Sequence, residues 1–178
     1  MSTPPEGLSI RPVTVADAGA VVDIYNHYVN QTVITFEEEA VSADEMARRI
    51  QEVGAAGLPW LIATSGAEIL GYAYANKWKA RSAYRFAVEI TVYLDPRQSR
   101  RGIGSRLYDQ LIPLLGARGI RTLIGVIALP NQASVALHEK FGLEKAAHFK
   151  EVGWKFNRWI DVGYWQRNLP ATSEAVSQ

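Results

Sequence analysis

One segment, residues 87–115, restricts the fold more than any other. Residues 86–94 are mostly apolar and β-branched and read as a strand, closed by Asp95-Pro96. A turn carrying Gly102 and Gly104 leads at once into residues 103–115. There Leu107, Leu111, Leu114 and Leu115 recur on one broad helical face, and Pro113 is expected to kink or shorten the helix. The first N–H groups of a helix have no internal partners, and its macrodipole favours an anion beside them. Glycines let the backbone approach that anion without a Cβ clash. Arg97, Arg100, Arg101 and Arg106 raise the local positive potential. The chemistry fits a pyrophosphate. A dinucleotide fingerprint needs a third glycine where Leu107 stands, and a Walker loop needs Gly-Lys-Ser/Thr, which is absent.

Around this segment the pattern alternates. Residues 8–13 read as a strand. Thr14 and Asp17 form a helix-start box before Val21, Val22, Ile24, Tyr25 and Tyr28; Ser42 and Glu45 repeat the box before Met46 and Ile50, with Gly54 and Gly57 ending that helix. Strands are expected at 60–64, 69–75, 122–127, 145–149 and 155–169, and a helix from Asn131 to Gly142. The order β-α-α-β-β-β-α-β-α-β-β predicts a single α/β (α+β) domain with a central sheet, not a doubly wound βαβ repeat. Its expected bounds are residues 8–169, with flexible polar tails at 1–7 and 170–178.

Charge and composition narrow the function classes. The 178 residues include 19 basic and 18 acidic ones, a net charge of +1, which argues against nucleic acid or a membrane as the main partner. With no cysteine there is no disulfide, thiolate metal site or cysteine nucleophile. His27, His138 and His148 have no ligand spacing, so no metal is expected. No signal peptide or spanning segment is visible, and a cytoplasmic enzyme is the simplest reading.

The turn resembles the pyrophosphate motif of the GNAT superfamily of N-acetyltransferases, Gln/Arg-x-x-Gly-x-Gly/Ala, with Ser99 where Gln or Arg is usual. The segment Pro130-Asn-Gln-Ala-Ser134-Val-Ala-Leu-His138-Glu-Lys-Phe-Gly142 is similar to that family's second signature. Lys79-Ala-Arg81-Ser-Ala-Tyr84, Val88-Glu89-Ile-Thr-Val-Tyr93, Thr32-Val-Ile-Thr-Phe36-Glu37 and Val152-Gly-Trp-Lys-Phe-Asn-Arg-Trp-Ile-Asp-Val162 narrow it. They resemble phosphinothricin-type N-acetyltransferases, which carry His where other relatives carry Tyr.

The resemblance implies a mixed, mostly antiparallel sheet flanked by helices and acetyl-CoA as co-substrate. It also implies a small amino acid or analogue, such as phosphinothricin or methionine sulfoximine, as acceptor. Val92, Tyr93 and Leu94 would meet the thioester where the sheet splays. Arg100, Arg101, Gly102, Ile103, Gly104 and Ser105 would hold the pyrophosphate, and Asn131 and Ser134 would flank the pantetheine arm. Glu89 becomes the base; periodicity alone leaves it on a buried or a solvated face, opposite Ile90 and Val92. Burial would raise its pKa usefully. His138 becomes the acid for the thiolate or a partner in a proton relay, with plain packing as the alternative. Arg81 suits a carboxylate bidentately, and Phe36 and Tyr84 would wall the pocket. Trp154, Phe156 and Trp159 fall in a late aromatic strand and read as core or homodimer contacts, with pocket lining second. Without cysteine, direct transfer is favoured over a covalent acetyl-enzyme. A peptide N-acetyltransferase, to which the acidic run Glu37-Glu38-Glu39 would be relevant, and a non-catalytic CoA-binding module remain as competing readings.

Overall fold

The computed structural model describes residues 5, 7–98 and 101–170. Ser99 and Arg100, and most of both expected tails, lie outside the described residues. Seven strands form one sheet: β1 (Leu8–Pro12), β2 (Trp60–Ser65), β3 (Glu68–Lys77), β4 (Ala87–Leu94), β5 (Thr122–Leu129), β6 (Glu144–Lys155) and β7 (Arg158–Asn168). Four helices join them: α1 (Ala18–Gln31), α2 (Ala43–Ala55), α3 (Ile103–Ala117) and α4 (Gln132–Lys140). The expected order of elements is observed. The strand order is β1-β2-β3-β4-β5-β7-β6, and among the described residues only β4 and β5 pair in parallel.

Both faces of the β2–β4 part of the sheet are covered, so alternate residues of these strands enter two different cores. Val88, Ile90, Ala73 and Leu61 pack with Leu107, Leu111 and Leu115 of α3. Trp60, Ile62 and Tyr72, with Tyr74 and Tyr93 beside them, pack with α1 and α2. Glu89 and Thr91, both half-buried, therefore lie on the sheet face that α1 and α2 cover.

Local chemistry sets the helix ends. Ser42 Oγ accepts from the Glu45 N–H, 3.1 Å, at the start of α2. That helix ends through Gly57, φ 71°, where the Leu58 N–H reaches back to the Val53 carbonyl, 3.1 Å. Gly54, expected to help end it, lies inside it. Gly142, φ 75°, ends α4 in the same way, with the Leu143 N–H on the His138 carbonyl.

Two expectations are corrected. α3 is not shortened by Pro113; it continues to Ala117. Pro113 and Asp109, whose carbonyl loses its partner, are both exposed, so water replaces the missing N–H. The last two strands are also differently bounded than expected: β6 is longer, at 12 residues, and β7 is shorter, at 11. They form a hairpin whose turn is Phe156-Asn157, both at positive φ (51° and 56°), with Lys155 opposite Arg158. Trp154, Phe156 and Trp159 thus belong to β6, the turn and β7, not to one aromatic strand. The turn was hidden because it uses no glycine.

Candidate active site

β4 and β5 are in register only from Ala87/Thr122 to Glu89/Ile124; beyond that the pairing stops and the strands part. On its other edge β4 stays paired with β3 as far as Leu94. The Asp95 N–H donates to Leu70, 2.9 Å, and the Ala87 carbonyl accepts from Trp78, 3.2 Å. Strand alternation then turns the N–H groups of Val92 and Leu94 toward the gap. The gap is a narrow space of about 40 Å³ bordered by Ile90, Val92, Val126, Asn131, Ser134 and His138. Tyr93 also borders it, and its ring packs edge-on against Tyr25, centroids 5.2 Å apart.

On the helix-covered side of Glu89 lies a larger cavity of about 650 Å³. Tyr25, Glu37, Arg49, Tyr74, Glu89 and Thr91 line it. Thr91 of β4 borders both spaces. Burial raises the Glu89 carboxyl above its ordinary value, and the positive charge of Lys79 partly opposes the rise. Opposite it, Arg49 donates to Glu37, 2.7 Å, and to Glu45, 2.9 Å, and the Tyr25 hydroxyl donates to Glu37, 3.0 Å. The acidic run is therefore not wholly solvated: Glu37 is tied into the cavity wall, while Glu38 and Glu39 are exposed.

On the other face of the sheet sits His138, 3% exposed. Its ring lies directly on β5: a Cβ on Gly125 would stand 2.4 Å from His138 Cδ2. His138 Nδ1 is 2.8 Å from the Ser134 carbonyl, which can only accept. Nδ1 therefore carries the proton, Nε2 accepts, and the Tyr108 hydroxyl donates to it at 3.1 Å. Burial lowers the His138 pKa, which keeps the ring neutral. Asn131 caps α4, its Oδ1 accepting from the Ser134 N–H, 3.1 Å, and so sets where Ser134 and His138 stand.

The glycine turn fits an anion. Gly102 is left-handed, φ 73°, with nothing within 4 Å of a built Cβ. Gly104 packs against Leu137, 3.1 Å from its Cβ position, bringing α3 against α4. The first α3 carbonyl partner is taken by the Arg106 N–H on Gly102, so the N–H groups of Ile103, Gly104 and Ser105 precede the helix ladder. Lys140 Nζ donates to Ser105 Oγ, 2.9 Å, adding a cation that the sequence did not point to. Arg101 bonds Gln98, 2.8 Å. Arg97 does not add free positive charge. It is paired with Asp95, 2.6 Å, and Glu68, 2.9 Å. Arg100, expected in this grip, lies outside the described residues.

Arg81 and Tyr84 stand exposed on the 78–86 connection, which follows the cavity-lining Lys77; neither lines the cavity. Phe36 does not line it either. Its ring packs on Gly153 of β6. Tyr25, Arg49, Tyr74 and Tyr108 were not singled out from sequence for this site. Tyr25 and Tyr108 sit at apolar positions of helices, where an aromatic reads first as core. Among the described residues no group of three or more His, Asp or Glu side chains gathers as metal ligands. Among the described residues no helix is long and apolar enough to cross a membrane.

Residues 10–163 match the acetyltransferase (GNAT) domain family. The chain is 40% identical to phosphinothricin N-acetyltransferase of Streptomyces viridochromogenes, over 99% of this chain and 97% of that one. It is 34% identical to the L-methionine sulfoximine/L-methionine sulfone acetyltransferase of Pseudomonas aeruginosa, over 94% and 98%. The crystal structure of a phosphinothricin acetyltransferase from Sinorhizobium meliloti in complex with acetyl-CoA superposes with a TM-score of 0.89. It has 34% identity and covers 96% of each chain.

Proposed function

The chain belongs to the GNAT acetyltransferase family and is an acetyl-CoA-dependent N-acetyltransferase, and from that premise we propose that it acetylates small amino acids and analogues on the free α-amino group. The acceptor class is that of phosphinothricin and methionine sulfoximine, named in its relatives. The observation that carries the reading is that Thr91 borders both the Glu89 cavity and the β4–β5 gap. An amine beside Glu89 and a thioester in the gap come within reach of one another there.

Acetyl-CoA supplies an acyl group with a thiolate leaving group. The N–H groups of Ile103, Gly104 and Ser105 bind its pyrophosphate, with Arg101 and Lys140 beside them. Asn131 and Ser134 flank the pantetheine arm. Glu89, its pKa raised, takes the proton from the acceptor ammonium, leaving a neutral amine to form the new C–N bond as the C–S bond breaks. The N–H of Val92 or Leu94 stabilises charge on the thioester oxygen. The neutral His138 ring, accepting from Tyr108, suits a proton relay to the thiolate better than direct donation by an imidazolium. Arg81 takes the acceptor carboxylate and Tyr84 closes the wall, since the 78–86 connection leaves the sheet at cavity-lining Lys77. Without cysteine, transfer is direct, in a ternary complex.

Thiol-release kinetics with acetyl-CoA and a panel of acceptors test this. The panel holds phosphinothricin, methionine sulfoximine and sulfone, ordinary amino acids, their carboxamides and short peptides. Turnover of free amino acids, weakened by amidation, is expected. Turnover of peptides alone overturns it, and acetyl-CoA binding without turnover of any amine points to a binding module.

The working form is a cytoplasmic homodimer in this reading. α1 and α2 cover the β2–β4 part of their sheet face, while the β6–β7 hairpin exposes Phe149, Val152, Trp154, Phe156 and Trp159. Sedimentation of the parent and of Trp154→Ser/Trp159→Ser measures it; a monomeric parent sinks the dimer.

A further inference from the structure

The segment between α1 and α2, residues 32–42, runs past both halves of the site. Ile34 borders the gap and Glu37 borders the cavity. It contains no regular helix or strand, so side-chain contacts hold it in place. Two of these come from the β6–β7 hairpin. Lys155, the last residue of β6, is 1% exposed, and its Nζ donates to the Thr35 carbonyl at 2.7 Å. Two residues earlier, Gly153 receives the Phe36 ring so closely that a Cβ there would stand 2.4 Å from two ring carbons.

From Thr35 the contacts run into the cavity. The Thr35 and Tyr25 hydroxyls are 2.8 Å apart, and Tyr25 spends its proton on Glu37, so Thr35 donates to Tyr25. Glu37 in turn holds Arg49. Tyr25, Glu37 and Arg49 all line the cavity, and Lys155 and Gly153 do not. Burying an ammonium is costly, and a methionine would fill the same space without that cost. The carboxylates of Glu37 and Glu38 act on Lys155 favourably. What the ammonium adds over an apolar side chain is a directed bond to the Thr35 backbone.

We infer that Lys155 and Gly153 are positioning residues for the acceptor: the β6–β7 hairpin, acting through residues 34–37, sets the Tyr25–Glu37–Arg49 wall of the cavity. The inference rests on the cavity being the acceptor site. Neither residue touches acetyl-CoA or the acceptor in this reading.

Lys155→Met and Gly153→Ala are the test, each assayed for kcat and for the KM of both substrates, with a thermal melt to verify folding. Lys155→Met leaves the Thr35 carbonyl without its donor, and Gly153→Ala pushes Phe36 off its seat. Lys155→Met is expected to raise the acceptor KM about tenfold, the scale of one lost buried hydrogen bond, and Gly153→Ala to raise it about tenfold through the overpacking that displaces Phe36, with the acetyl-CoA KM unchanged in both. A general loss of structure would move both. Should Lys155→Met not fold, Gly153→Ala decides alone, since its one added methyl leaves every hydrogen bond donor in place. Parent-like acceptor KM in the folded variants, or equal changes for both substrates, overturns the inference. If the parent acetylates peptides only, the acceptor reading falls, and the coupling is judged by peptide KM in the same variants.

Discussion

Gly125→Ala probes the seat of His138 more sharply than removing the imidazole does. The new methyl would stand 2.4 Å from Cδ2 and 2.7 Å from Nε2. Gly125 is in mid-β5, paired with Trp165 of β7, so the backbone cannot retreat and the ring must leave. His138 then loses its bonds to Ser134 and Tyr108. Overpacking of this kind costs about 1–3 kcal/mol, and two lost bonds add roughly 0.5–1.5 kcal/mol each. The total of about 2–6 kcal/mol lowers the melting temperature by roughly 4–24 °C in a domain of this size. His138→Ala removes the clash at its source. The double variant should therefore be more stable than the sum of the two single effects, by on the order of 1–3 kcal/mol. Thermal melts of all four proteins, with thiol-release rates beside them, measure this. Additive losses, or a Gly125→Ala enzyme with parent stability and rate, would refute the placement of the ring on β5.

Glu89→Gln should lower kcat by about 10²–10⁴-fold at neutral pH, with a smaller loss at high pH; an unchanged pH profile removes Glu89 from the base role. Burial raises its pKa, so activity should fall with decreasing pH at values above the ordinary carboxylate, ~4.3. Lys79→Met takes away the opposing charge and should move that limb to higher pH still. Gly102→Ala meets no neighbour but holds φ at 73°, so it should cost about 1–2 kcal/mol in stability and raise the acetyl-CoA KM while sparing the acceptor KM. Asp17, bonded by Arg11 and by the Thr14 N–H, has its pKa lowered to about 2. Its contribution to stability is thus present above the unfolded value, ~3.9, and is lost as pH falls toward 2. Asp17→Asn should flatten acid denaturation over that window, as followed by circular dichroism.

What could be read from the sequence was what depends on near neighbours along the chain. A strand, a glycine turn and a helix within thirty residues define the anion site by backbone alone, and the structure keeps that arrangement with Gly102 left-handed at the start of α3. Glu89 was assigned to one side of β4 by alternation. Whether that side was wet depended on α1 and α2, some forty residues and more away, and no period in β4 carries that information. Tyr108 and Tyr25 were invisible for a related reason. Each occupies an apolar helical position and is buried there, yet each hydroxyl is spent on a residue thirty and twelve positions away.

The same limit explains why His138 was ambiguous. Acid, relay and packing residue predict the same one-letter code in the same helix; the hydrogen-bond partners separate them. A carbonyl at Nδ1 and a phenol at Nε2 leave a neutral ring with no free proton. In the proposed mechanism the proton for the thiolate would then come through the Tyr108–His138 pair and would not start on an imidazolium. Tyr108→Phe then separates the two ideas. If His138 alone were the acid, removing the donor from Nε2 would ease its protonation and preserve activity toward higher pH. If the pair acts together, turnover drops at every pH with both KM values held. A Tyr108→Phe enzyme with parent kcat would refute the pair.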